Sequence, residues 1–154
     1  MVKSSLKIQK AARPVTLWIH PEGRVTGNIF ITPGSDQSDG ELPEDVLNQS
    51  EPFLVLQKKS PDEVRFYNRA SIIRVELSES DSGNSQKSHR YKCKLLMMDG
   101  TEISGTIQES LPKEFSRLYD YLNQKSDRFI KLYSKDIVYL INKSYITQLE
   151  SDDG

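Results

Sequence analysis

The sequence predicts a mainly β fold made of two tandem small barrels with five strands each. Two observations lead to this prediction: an internal repeat that covers most of the chain, and apolar residues that alternate with polar ones within each copy. The chain has 154 residues, which is enough for one ordinary domain or for two very small ones. A duplicated small fold therefore agrees with the length.

The internal repeat consists of three blocks that recur in the same order. The paired blocks are residues 25–29 with 103–107, 45–48 with 120–123, and 64–76 with 138–150. In the last pair, Val, Asn, Ile and Glu recur at equivalent positions without a gap. Because the order is preserved along the chain, we interpret the blocks as the product of a duplication.

Each copy opens with the pattern of a strand and a tight turn. Apolar side chains at every second position indicate one buried face, at Val15, Leu17 and Ile19 in the first copy and at Tyr91, Cys93, Leu95 and Met97 in the second. Glycines then predict turns at residues 21–23 and 99–100. Gly27 and Gly105 interrupt the second strand of each copy, where a missing side chain allows the sharp bend that a small barrel requires.

The remaining elements complete five strands in each copy. A short helix is inserted between strands two and three, clearly at residues 112–123 and as a single turn at residues 43–48. Strands three to five are predicted at residues 53–56, 64–68 and 72–77, and at residues 129–133, 138–142 and 146–150. The predicted organisation is a basic N-terminal tail (1–13), a first barrel (14–77), a Ser-rich linker (78–88), a second barrel (89–150) and an acidic tail (151–154).

Asn48 and Asn123 occupy equivalent positions directly after the helical segments. Asn is an ordinary residue at the C-terminal end of a helix, so capping is the simpler interpretation. The alternative is that these residues, with Asp45 and Asp120, form a polar patch that faces a partner.

Two motifs resemble those of the Sm-like family, whose members have SH3-type barrels. Residues 99–107, preceded by Leu95 and Met97, resemble the first Sm motif, in which an apolar strand, an Asp-Gly turn and a bent Gly-containing strand follow one another. Residues 67–72 and 141–146 resemble the second motif. The resemblance implies RNA contacts from the turn between strands four and five, and rings that close through the edges of those strands. The paired Asp-x-Leu-Asn elements also resemble modules of bacterial proteins, a likeness that implies no function.

The turn between strands four and five supplies the first candidate site. Its residues are Asn68 and Arg69 in the first copy and Asn142 and Lys143 in the second. An amide beside a cation can hydrogen-bond a base and pair with a phosphate, so these residues are candidate RNA or ligand contacts. The alternative is a turn in which Asn bonds to its own backbone and the cation is solvated.

The densest basic segment supplies the second candidate site. Its members are Lys87, Arg90, Tyr91, Lys92 and Lys94, with Tyr91 as a stacking platform for a base. The alternative is a solvated outer strand face, on which lysines also discourage aggregation between strand edges.

Composition and motif content exclude several classes of function. The net charge of −1 provides no general attraction for nucleic acid or for a membrane, and no apolar run is long enough to span one. Cys93 is the only cysteine, so an internal disulfide is excluded, and neither histidine lies in a recognisable catalytic motif. We therefore expect a cytoplasmic protein that is not an enzyme, has no cofactor or metal, and does not bind membranes.

Three hypotheses for the function follow. The leading one is a protein-interaction or scaffold module in which the edges of strands four and five pair with another copy or with a partner segment. The second is an RNA-binding Sm-like protein that uses the turn residues and the basic segment. The third is a small-ligand sensor with a pocket between the copies, lined by Trp18, Phe30 and tyrosines.

Overall fold

The computed structural model of the protein describes residues 10–35, 40–59, 62–78, 89–109, 118–124 and 127–151. Within these ranges the chain forms ten strands and two short α-helices, which confirms the mainly β prediction. In chain order they are β1 (Ala11–Ile19), β2 (Gly23–Ile31), α1 (Pro43–Leu47), β3 (Phe53–Lys59), β4 (Asp62–Asn68), β5 (Ile72–Ser78), β6 (His89–Met97), β7 (Glu102–Glu109), α2 (Leu118–Leu122), β8 (Phe129–Ser134), β9 (Ile137–Asn142) and β10 (Ile146–Ser151).

All ten strands belong to one antiparallel sheet, in the order β10-β6-β7-β8-β9-β5-β1-β2-β3-β4. Each half of the chain therefore repeats one strand order, with its fifth strand next to its first. The pairing of β5 with β9 joins the two halves. The sheet is not closed, so the arrangement as two tandem barrels remains a prediction.

Gly27 and Gly105 lie where the second and third strands of each half cross closely. A Cβ atom on Gly27 would be 2.7 Å from the carbonyl oxygen of Gln57, and one on Gly105 would be 2.5 Å from that of Tyr133. Real Cβ atoms do not approach backbone oxygens so closely. Only glycine fits at these two crossings, which agrees with the bend predicted there.

The apolar core has two clusters, and the first is built by both halves of the chain. The alternating residues Val15, Leu17 and Ile19 are buried in it, as the period-two pattern predicts. Three residues of the second half also belong to this first cluster: Phe129, Val138 and Leu140. The face of β9 that carries Val138 and Leu140 is thus covered by the first half.

The helical predictions fall partly outside the described residues. The turn predicted at 43–48 is α1, which has Pro43 in its first turn and is followed by Asn48 as its C-terminal cap. Of the helix predicted at 112–123, the described part is α2. The linker lies outside the described residues apart from Ser78, the last residue of β5, and β1 begins within the predicted N-terminal tail, at Ala11.

Candidate functional site

The pairing of β5 with β9 brings two apolar faces into one core. Val75 lies opposite Leu140, and Leu77 lies opposite Val138. All four side chains are buried, and directly opposite residues in an antiparallel pair share one face of the sheet. The two halves are therefore joined by backbone pairing and by a continuous apolar contact.

A side-chain clamp reinforces this junction. The Oδ1 atom of Asn48, directly after α1, accepts a hydrogen bond from the backbone N–H of Phe129 at 2.8 Å. Its Nδ2 atom donates to the carbonyl oxygen of the same residue at 3.3 Å. One amide side chain thus satisfies both backbone groups of a buried residue at the start of β8.

Two further polar contacts cross the junction. Nζ of Lys131 lies 2.7 Å from a carboxylate oxygen of Glu44 in α1, and both side chains are largely buried. Nδ2 of Asn142 donates to the carbonyl oxygen of Ile72 at 2.9 Å. The junction therefore combines a strand pair, an apolar core, an ion pair and two amide side chains that bind backbone groups.

The hairpin of β3 and β4 carries an exposed apolar face at one end of the sheet. In β4, Val64 is 53% exposed and Phe66 is 66% exposed. On β3, Phe53 and Val55 are also exposed, and Val55 lies directly opposite Phe66. We call these four side chains the β4 patch. Among the described strands, β4 pairs only with β3, so the patch adjoins a free sheet edge.

Strand edges are among the predicted interaction surfaces, but the β4 patch is not among the candidate sites named from the sequence. The repeat contains a signal for it. Residues 64 and 66 align with residues 138 and 140, so apolar residues recur at positions that are buried in one copy and exposed in the other.

The four candidate contacts in the turns between strands four and five make extensive internal contacts. Asn68 and Asn142 precede short 3-10 turns, and their Oδ1 atoms accept bonds from the backbone N–H groups of Ala70 and Ser144. Asn142 is fully buried and Asn68 is exposed. This geometry corresponds to the structural alternative given for the Asn side chains.

The Arg69 side chain is directed inward and is 3% exposed. Its guanidinium donates to the carbonyl oxygens of Glu51, Phe53 and Val46 at 2.6 to 2.9 Å. Burial lowers the pKa of Arg69, and the nearby carboxylate of Glu51 opposes that shift. The guanidinium thus links α1 to the start of β3.

Lys143 has the equivalent role in the second half. Nζ of Lys143 donates to the carbonyl oxygens of Gln124 at 2.6 Å and Leu122 at 3.4 Å. Burial lowers its pKa, and Asp127 opposes the shift. The assignment of these turn residues to RNA remains a prediction, and an RNA phosphate would have to compete with backbone carbonyls for both cations.

The described part of the basic segment lies along β6. Arg90, Lys92 and Lys94 are exposed, whereas Tyr91 is half-buried and packs against the second core cluster. Nζ of Lys94 is 3.4 Å from a carboxylate oxygen of Glu102. Lys87 lies outside the described residues. The three described cations thus form a row on one strand, and Tyr91 lies on the opposite face.

Trp18, expected to line a ligand pocket, is half-buried beside the junction. Its indole N–H donates to a carboxylate oxygen of Glu76 at 2.6 Å, and the Arg74 guanidinium carbon lies 4.5 Å from the ring centroid. The Arg74 side chain thus occupies one face of the indole ring. A cleft of about 680 Å³ is lined mainly by residues of the first half such as Glu76, with Asp136 and Ile137 from the second half, and Trp18 does not line it. The ligand-sensor hypothesis remains a prediction.

Other kinds of site have little support among the described residues. Within the described ranges, no group of three His, Cys, Asp or Glu side chains converges as a metal site would require. No helix in the described chain is long and apolar enough to cross a membrane. Comparisons with protein-family models, with curated proteins and with solved structures found no significant match.

Proposed function

We propose that the protein is a non-enzymatic interaction or scaffold module built from two fused Sm-like units, and that it binds a protein partner at the edge of β4. The observation that carries this proposal is the β4 patch, in which Phe66 is 66% exposed at a free sheet edge. The repeated strand order of the two halves and the crossings at Gly27 and Gly105 support the two-unit architecture.

A free strand edge offers a row of backbone donors and acceptors to a partner strand. Natural proteins usually protect such edges with charged side chains, prolines or bulges. In β4 the charged residues Glu63 and Arg65 alternate with Val64 and Phe66. Asp62, at the start of the strand, lies on the same face as Val64 and Phe66, so that face is apolar from Val64 onward. A partner strand would gain main-chain hydrogen bonds and would cover the apolar side chains.

The β4 patch offers apolar area that a partner can bury. Complete burial of a fully exposed Phe or Val side chain contributes about 1.5 to 3 kcal/mol, and the four side chains of the patch, which are 38% to 66% exposed, can each supply part of that amount. Shared backbone hydrogen bonds fix the register, so side-chain complementarity decides which partner binds.

The experiment compares two variants, in each of which Glu replaces an exposed apolar residue. Phe66→Glu lies in the β4 patch, and Met98→Glu lies in the turn after β6, where Met98 is 64% exposed. Proteins captured by the wild type and by Met98→Glu but not by Phe66→Glu would support the proposal. Equal capture by all three chains would overturn it, once circular dichroism shows that all three are folded.

A further inference from the structure

We propose that the partner of the β4 edge is a second copy of this chain, whose β10 pairs with β4 in the way that β5 pairs with β9 within one chain. This inference rests on the proposed function and specifies its partner. The repeat makes β10 the counterpart of β5 and β4 the counterpart of β9. In the described sheet, β4 and β10 each have only one neighbouring strand. They are the counterparts of β9 and β5, the two strands that join the halves.

The register of the β5–β9 pair, applied to β10 and β4, predicts which residues lie opposite each other between two copies. Val75 lies opposite Leu140 within the chain, so Leu149 of one copy would lie opposite Phe66 of the next. Leu149 is only partly buried against the second core cluster, and Phe66 is exposed. The new contact would cover both side chains, as the internal contact covers Val75.

The clamp at the junction also has an unused counterpart. Asn123 is equivalent to Asn48, and Phe53 is equivalent to Phe129. The Asn123 side chain is exposed, and its Nδ2 atom donates within its own helix end, to the carbonyl oxygen of Tyr119 at 2.8 Å. Phe53 is 53% exposed, whereas Phe129 is 2% exposed. On assembly, Oδ1 of Asn123 would accept a hydrogen bond from the backbone N–H of Phe53 of the next copy. The carbonyl oxygen of Phe53 already accepts from the Arg69 guanidinium of its own chain.

The internal ion pair is replaced by an apolar pair. Glu44 aligns with Tyr119, and Lys131 aligns with Val55. Tyr119 is 74% exposed and Val55 is also exposed. Within the chain, the Glu44 carboxylate faces the Lys131 ammonium. Between chains, the Tyr119 ring would face the Val55 side chain, so both contacts pair complementary groups.

Such an interface is heterologous, because each copy contributes two different surfaces. A heterologous contact produces a ring if its rotation closes and a filament if it does not. A competing arrangement pairs β4 with β4 about a two-fold axis and stops at a dimer. The two arrangements differ in whether the surface formed by α2 and β10 is needed.

The experiment uses one variant for each surface and measures mass by native mass spectrometry and light scattering. Phe66→Glu blocks the β4 surface, and Tyr119→Glu/Asn123→Ala blocks the α2–β10 surface. All three positions are exposed, so the variants are expected to fold, which circular dichroism checks. Ser104→Glu is the control, because Ser104 is exposed in β7, apart from both surfaces.

Head-to-tail pairing predicts that the wild type and Ser104→Glu assemble beyond the dimer as concentration rises. Each blocked variant alone stays a monomer, and an equimolar mixture of the two forms a dimer that grows no further. A dimer of Tyr119→Glu/Asn123→Ala alone would overturn the inference in favour of β4 pairing with β4. A monomeric wild type that still captures a different protein through Phe66 would overturn the inference and leave the proposed function standing, whereas the absence of any Phe66-dependent binding would overturn both.

Discussion

Asn48 and Phe129 are 81 residues apart in the chain, yet the amide side chain of Asn48 hydrogen-bonds both backbone groups of Phe129. Phe129 begins β8, next to β9, and Asn48 directly follows α1, which packs on β2 of the first half as well as on β8. The contact therefore fixes the second half against the first at a point beyond the β5–β9 pair. It also links a helix end to a strand start, an arrangement that propensity alone does not specify.

Asn48→Ala should lower the free energy of unfolding by about 1 to 3 kcal/mol, because it leaves buried backbone groups of Phe129 without partners. Urea denaturation at low protein concentration measures the loss. Asn123→Ala is the matched control, since the Asn123 side chain is exposed and bonds only within its own helix end among the described contacts. A loss for Asn48→Ala no larger than that for Asn123→Ala would contradict the role of the clamp.

Gly105→Ala should destabilise the fold by about 1 to 3 kcal/mol, because the added Cβ would force the backbone of β7 away from that of β8. Thermal and urea unfolding measure the effect. Ser104→Ala, at an exposed neighbour in the same strand, should change stability by less than about 0.5 kcal/mol. If both variants unfold at the same denaturant concentration, the close crossing of the two strands is incorrect.

Asp99 gives the fold a measurable acid dependence. Thr101 donates hydrogen bonds to the Asp99 carboxylate, chiefly from its backbone N–H at 2.9 Å and also from its side chain. These bonds hold the pKa of Asp99 below its ordinary value of 3.8. Because the folded-state pKa is lower than the unfolded one, the stabilisation is complete above the ordinary value and is lost as pH falls through the folded-state pKa. Asp99→Asn should therefore be less stable than the wild type near neutral pH, and the difference should shrink in acid. A difference that stays constant from neutral pH into strong acid would refute this.

RNA binding is best tested on β6, because Arg69 and Lys143 are engaged with backbone carbonyls and their replacement would disturb folding. We expect no salt-sensitive binding of short U-rich or A-rich RNA in fluorescence anisotropy. Micromolar binding that weakens with salt and is removed by Arg90→Glu/Lys92→Glu would instead favour the Sm-like RNA-binding hypothesis.

Much of the architecture could be predicted because its signals are local or repeated. Alternating apolar residues at Val15, Leu17 and Ile19 indicate a strand with one buried face, and Gly27 and Gly105 mark the same crossing in both copies. Asn48 was assigned to a helix end, where it lies. These features depend on neighbours along the chain or on comparison of one copy with the other.

The features that were not predicted depend on contacts distant in sequence. A cation in a polar turn has the local pattern of a solvated residue, so the burial of Arg69 beneath α1 has no signature in residues 67–72. The bonds from Asn48 to Phe129 likewise depend on how the two halves meet. The resemblance suggested pairing through strands four and five, but did not specify that β5 and β9 would be used within the chain and β4 and β10 left at its ends.

The most direct test of the account is hydrogen exchange of the backbone amides in β4 (Asp62–Asn68), measured on the full chain at low and at high protein concentration. If the β4 edge of one copy binds β10 of another, the outward amides of β4 exchange more slowly at high concentration, both in the wild type and in Ser104→Glu, but not in Phe66→Glu. Exchange in β4 that is equally fast at both concentrations in the wild type would contradict the account.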